Sequence, residues 1–166
     1  MNDRLYPKTE EFHPFSPIDI LEGHADVGSS VVVIGGGSAG CEIAYELADQ
    51  KRNVTICEQM AELATDLFRA NRDMLIELLR VKRVNIMANC RIEKVLPGIV
   101  TYQLGDGIRG ELKTDSIVLA IGRRSMNALL PQINELVNEV YAIGDCVAPR
   151  KVIDAMWEAY KRAIHI

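Results

Sequence analysis

The hydrophobic pattern of this chain changes period along its length, and each period predicts a different element. Residues 31–34 (VVVI) are consecutive apolar, mostly β-branched positions with no alternation. Such a run predicts a parallel strand covered on both faces. Gly40, Ile43, Ala44, Leu47 and Ala48 then recur at the i, i+3, i+4, i+7, i+8 spacing of an amphipathic helix packed on a sheet. Residues 53–57 (NVTIC) read as a second strand. Residues 65–82 read as a second helix, with Leu67, Met74, Leu75, Leu78 and Leu79 on its apolar face and Thr65 or Asp66 placed to cap it. Residues 84–87 (VNIM) supply a third strand and complete a βαβαβ unit.

Beyond residue 90 the helical period gives way to short β-rich runs at 91–96, 99–104 and 109–113, separated by Pro97-Gly98 and Gly105-Asp106-Gly107. Turn residues between such runs predict a three-stranded antiparallel meander in place of a crossover helix. Residues 116–121 (SIVLAI) return to an unbroken apolar run, hence another buried parallel strand. Residues 126–136, around Pro131, suit a short helix or irregular crossover. Residues 139–143 (EVYAI) predict a last strand, and residues 152–166 a closing helix whose stripe is Ile153, Met156, Trp157, Tyr160 and Ile164. That stripe suits core or interface packing rather than a cofactor box.

At the other end, residues 1–17 carry Pro7, Pro14 and Pro17 with no periodicity, so residues 1–24 read as a linker or leader, with a short helical turn at 18–22. His13 and His24 fall in these loops and read as solvated surface residues. The 166 residues fit one domain, or one domain and a piece of another. A hydrophobic content of 48% and a charged content of 25% allow a real core. The net charge of −4, without any basic run, gives no reason to expect a nucleic-acid partner. No apolar stretch approaches the roughly 20 residues of a membrane-spanning helix, and no signal core opens the chain, so a soluble cytoplasmic protein is expected. Cys41, Cys57, Cys90 and Cys146 form no Cys-x-x-Cys pair and suit neither a metal site nor a dithiol motif; Cys41 and Cys57 read as small core residues.

The candidate chemistry lies where the first strand meets the first helix. Gly35, Gly36, Gly37, Ser38, Ala39 and Gly40 form a Gly-x-Gly-x-x-Gly turn directly after a predicted strand and directly before a predicted helix. Gly35 allows the sharp exit, Gly37 leaves room for a pyrophosphate, and Gly40 lets the helix sit close to the strand. The helix N-terminus then presents free N–H groups and partial positive charge to the phosphates. Glu58 ends the second strand close to 20 residues further on, where an acid can accept hydrogen bonds from the adenosine ribose. Gly122, at the exit of the strand at 116–121, suits either a backbone contact to the dinucleotide or a simple turn. Gly144 and Asp145, after the strand at 139–143, suit either a second ribityl or ribose contact or a helix cap.

The stretches VVVIGGGSAGCEIA, SIVLAIGRR and NEVYAIGDCVAPRKVIDA resemble the pyridine nucleotide–disulfide oxidoreductase superfamily. Within it they most resemble the C-terminal part of old-yellow-enzyme-like NADH:flavin oxidoreductases, the group of 2-enoate and 2,4-dienoyl-CoA reductases. The resemblance runs over residues 18–166. It implies that Gly35 to Gly40 and Glu58 belong to an NAD(P)H-binding domain. Glu42 matches a family glutamate near nicotinamide and flavin, although an acid early in a helix also suits the dipole. Gly144 and Asp145 match the returning FAD motif, in which the aspartate holds the ribityl chain. Ser125 departs from the family's proline after Arg123 and Arg124. The flavin-bearing barrel, the cluster cysteines and the first FAD glycine loop have no counterpart here, so the chain reads as an excised or truncated module.

The expected architecture is therefore α/β: a Rossmann-like parallel sheet with an antiparallel β-meander crossover, plus a returning strand–helix segment of a split FAD domain. The expected division is an NAD(H)-binding domain at residues 25–125 and the returning segment at 126–166. The expected function is to hold NADH for hydride transfer to flavin in a parent enzyme that also carries FAD. No residue qualifies as a catalytic acid, base or nucleophile, and no metal ligand set is present. The expected partners are the dinucleotide, the missing FAD and barrel domains, and a second copy of the chain through the stripe of the closing helix. An FAD-binding fragment and a ligand-free Rossmann-like interaction module are the rival readings.

Overall fold

The computed structural model describes residues 13–165; the greater part of the leader, residues 1–12, lies outside them. The described residues divide into two compact units, one ending at Ile121 and one beginning at Gly122.

The first unit opens with helix α1 (Pro17–Leu21), capped by Ser16, whose hydroxyl accepts from the Asp19 amide while the Asp19 carboxylate accepts from the Ser16 amide. Strand β1 (Ser30–Ile34), helix α2 (Ser38–Asp49), strand β2 (Asn53–Cys57), helix α3 (Arg69–Val81) and strand β3 (Asn85–Met87) follow. The meander is β4 (Cys90–Leu96), β5 (Ile99–Leu104) and β6 (Arg109–Lys113), and it leads into β7 (Ser116–Leu119). Strands β3, β2, β1 and β7 lie side by side in that order, all parallel, so β1 sits inside the sheet.

The uninterrupted apolar run in β1 has its explanation in two separate covers. Val31 and Val33 pack with Ile43, Ala44 and Leu47 of α2 and Leu79 of α3 on one face. Val32 and Ile34 pack with Cys90, Ile92, Val95 and Val100 of the meander on the other. Both faces of the parallel strand are dry, and no polar alternation survives. The meander keeps its own alternation because only one of its faces is covered.

Several expectations are corrected by long-range packing. Phe15, read as part of the leader, pairs alongside β7: its N–H donates to Ile117 and its carbonyl accepts from Leu119, both at 2.8 Å. Helix α3 starts at Arg69 behind Phe68, without a side-chain cap; Thr65 is exposed, and the Asp66 side chain bonds to Ser38 instead. His24, by contrast, is exposed as expected, with Nδ1 3.2 Å from the neighbouring Glu22 carboxylate.

The second unit contains α4 (Leu130–Asn134), a 3-10 turn at Gly144–Cys146 and α5 (Val152–Ala163). The strand expected at 139–143 does not form: its residues are in no ladder, because the unit offers no strand to take their hydrogen bonds. Helix α5 has no buried residue, and Met156, Trp157 and Tyr160 are each more than half exposed.

Candidate functional site

The glycines of the turn at the end of β1 have different physical reasons. Gly35 has φ of +106°, and a Cβ there would lie 2.5 Å from the Ala120 carbonyl oxygen. A Cβ on Gly40 would lie 2.0 Å from the Gly35 carbonyl oxygen. Gly35 is glycine because its φ is positive and the chain leaving β7 lies against it, and Gly40 because α2 sits hard against the end of β1. A Cβ on Gly36 would meet Glu58 and Leu63, each at 2.9 Å. Gly37 is different. Its φ of −67° and ψ of 177° suit any residue, and a Cβ there would meet only Asp66 Oδ1, at 3.9 Å. Packing does not require a glycine at 37; the position opens onto free space at the N-terminus of α2.

Glu58 follows β2 and is half-buried. Its Oε2 accepts from the Gly36 N–H at 2.6 Å and its Oε1 from the Met60 N–H at 2.8 Å. The carboxylate thus ties the glycine turn to the loop after β2, and lone pairs remain for ribose hydroxyls. At the first residue of α2, the Ser38 N–H donates to Asp66 Oδ1 at 2.9 Å and its hydroxyl to Oδ2 at 2.5 Å. The chain itself therefore places an anion on the helix N-terminus, where carboxylates and phosphates alike are favoured. Glu42 is exposed at the fifth position of α2, beyond the first turn.

These residues border an open cleft of about 960 Å³ at the carboxyl ends of β1, β2 and β7. Gly35, Gly37 and Glu58 line one side, and Arg91, Gln103 and Arg109 of the meander line the other. The last three form one cross-strand row: Arg91 opposes Gln103, which opposes Arg109. Composition hid this row, but the register set by the turns at Pro97-Gly98 and Gly105–Gly107 would have revealed it.

Cys57 and Cys90 also line the cleft, but both are buried. Burial pushes their thiols up, and it pushes the Cys41 thiol to about 12, with the Asp66, Glu58 and Glu42 carboxylates adding to the effect. These are inert thiols. The folded chain is expected to give one fast-reacting thiol with a disulfide reagent, half-buried Cys146, and three more only after denaturation. A second fast equivalent in the native protein would contradict this assignment. Among the described residues no cluster of three or more His, Cys, Asp or Glu could hold a metal, and no helix is long and apolar enough to cross a membrane.

Gly122, Gly144 and Asp145 belong to the second unit. Gly122 has φ of +101° and nothing near its Cβ position. Gly144, at φ +69°, donates its N–H to Glu158 Oε2 at 2.7 Å. That hydrogen bond, with the Arg150 guanidinium, holds the Glu158 carboxyl below the usual range. Asp145 accepts from the Arg150 N–H at 3.3 Å and lies 3.8 Å from Arg123. Glu158 went unread in the sequence, since an acid in an amphipathic helix carries no separate signal.

A central parallel strand that turns through glycines into a helix, flanked by a strand closed by an acid, is the Rossmann-type architecture of FAD- and NAD-linked oxidoreductases. The chain belongs to the pyridine nucleotide-disulphide oxidoreductase family, which residues 18–163 match. It is 33% identical over 156 residues to cinnamate reductase of Clostridium sporogenes, an alignment taking in 92% of this chain and 23% of that protein. It is 30% identical over 155 residues to an NADH oxidase of Thermoanaerobacter brockii, covering 92% of this chain and 24% of that one. Among solved structures it superposes on 2-naphthoyl-CoA reductase in complex with 2-naphthoyl-CoA with a TM-score of 0.81 and 29% identity, over 90% of this chain and 23% of the other. The chain thus spans about a quarter of the length of these relatives. The resemblance read from the glycine turn, from SIVLAIGRR and from residues 138–155 is borne out.

Proposed function

We infer that this chain is the NAD(H)-binding module of a flavin-dependent oxidoreductase. The observation that carries the reading is Gly37: a glycine that packing does not need, opening at a helix N-terminus onto a cleft edged by Glu58. In this reading the pyrophosphate lies over Gly37 and the amides of Ser38 and Ala39, and Glu58 takes the adenosine ribose. Gly35, Gly36 and Gly40 shape the turn, and Glu42 stands on the nicotinamide side. The nicotinamide, when bound, supplies a hydride that the flavin of the longer enzyme accepts; this chain binds and orients it. Gly122, Gly144 and Asp145 would serve the flavin side, and the α5 stripe would meet a further domain of that enzyme.

Calorimetric titration with NADH tests the reading, and NADPH serves as its control. Glu58 is a carboxylate, and Gln59, Met60 and Ala61 after it bring no positive charge, so a 2′-phosphate meets like charge. NADH is expected to bind about tenfold more tightly than NADPH, and Glu58→Gln to narrow that gap. No binding of any adenine dinucleotide at millimolar concentration would overturn the function. Stoichiometric, tight FAD binding would favour the flavin-fragment reading.

A further inference from the structure

The notable cation of the cleft comes from the meander. Three arginines stand close enough in sequence or space to serve the adenosine end, and their commitments differ. Arg69 is almost fully exposed and pairs with Asp73. Arg72 is held by the Leu63 carbonyl at 2.7 Å and the Glu62 carboxylate at 3.0 Å, so it fixes the loop after β2. Arg91 on β4 is exposed and, among the described residues, its guanidinium makes no hydrogen bond or ion pair. Its neighbour in the cross-strand row, Arg109, is already paired with Glu93 at 3.2 Å.

Arg91 also lines two hollows at once. One is the main cleft, with Glu58, Gln59 and Met60; the other is a side recess of about 440 Å³ reached past the same Gln59 and Met60. Residues at the exit of β2 face the adenosine half of a dinucleotide in this architecture. An unpaired guanidinium there is ready to donate two parallel hydrogen bonds to a phosphate. The Glu58 carboxylate, meanwhile, has both oxygens turned onto the Gly36 and Met60 amides, which leaves it a weaker barrier to a second anion than a free carboxylate.

We propose that Arg91 is the specificity-determining residue for the adenosine 2′ position: it contacts a 2′-phosphate and so limits the preference for NADH that Glu58 creates. The proposal rests on the NAD(H)-binding reading above. Binding of NADH and NADPH is measured by calorimetry for the wild type, Arg91→Ala and Arg91→Lys, at two salt concentrations. Arg91→Ala is expected to weaken NADPH about tenfold and to leave NADH within about threefold. Arg91→Lys should recover part of the NADPH affinity, and the Arg91→Ala effect should shrink at high salt. An unchanged ratio of NADPH to NADH affinity in Arg91→Ala, whether both weaken together or neither moves, overturns the role of Arg91 and leaves the binding reading standing. A wild type that binds neither nucleotide overturns both.

Discussion

Gly37→Val is expected to remove NADH binding, by about a hundredfold or more, without loss of helix content or cooperative unfolding. The backbone at Gly37 is extended and open to any residue, and only one atom, Asp66 Oδ1, comes within 4 Å of its Cβ position. A branched side chain there fits the protein but fills the space where the pyrophosphate approaches the helix N-terminus. Gly40→Ala provides the contrast. One added methyl would stand 2.0 Å from the Gly35 carbonyl oxygen and 3.2 Å from Ala120 Cβ, so α2 must lift off the sheet. Overpacking of this kind costs about 1–3 kcal/mol or more, visible as a lowered melting temperature. The two variants separate a glycine kept for the ligand from one kept for the fold. Should Gly37→Val bind NADH like the parent, the pyrophosphate does not lie over Gly37.

The elements that were legible in the sequence are those whose cause is local. The run VVVI, the glycine turn and the stripe through Ile43, Ala44 and Leu47 each state their own requirement, and each formed. The meander was legible because its turns are punctuated. What the sequence hid depends on partners far along the chain. Phe15 reads as leader until Ile117 and Leu119 are beside it. Residues 139–143 have strand-like composition, yet a strand needs a neighbour and their unit has none. Arg91 looks like any surface arginine until the register sets it across from Gln103 and over the cleft. Asp66 looked like a cap for the helix that follows it; it caps the helix that precedes it by 28 residues.

That misread residue carries the second large effect. Asp66→Asn is expected to tighten NADH binding about tenfold. In the free protein the Asp66 carboxylate accepts from both the amide and the hydroxyl of Ser38, and a negative charge at a helix N-terminus is favourable. A pyrophosphate bound over Gly37 needs that same amide and brings its own negative charge to within a few ångströms. Either Asp66 gives up Ser38 or two anions share one helix end; both cost binding energy, and at a partly exposed site the Coulomb part alone is worth on the order of tenfold. Asparagine keeps the shape and one acceptor for the Ser38 amide while removing the charge. The variant should lose a little stability through the weaker cap, and its NADH affinity should become less dependent on salt, since the repulsion that salt screens is gone. Calorimetry at two salt concentrations, alongside a melting curve, reads all three quantities. If a folded Asp66→Asn binds NADH no better than the parent, the carboxylate is a brace that holds Ser38 in place for the ligand and does not compete with it.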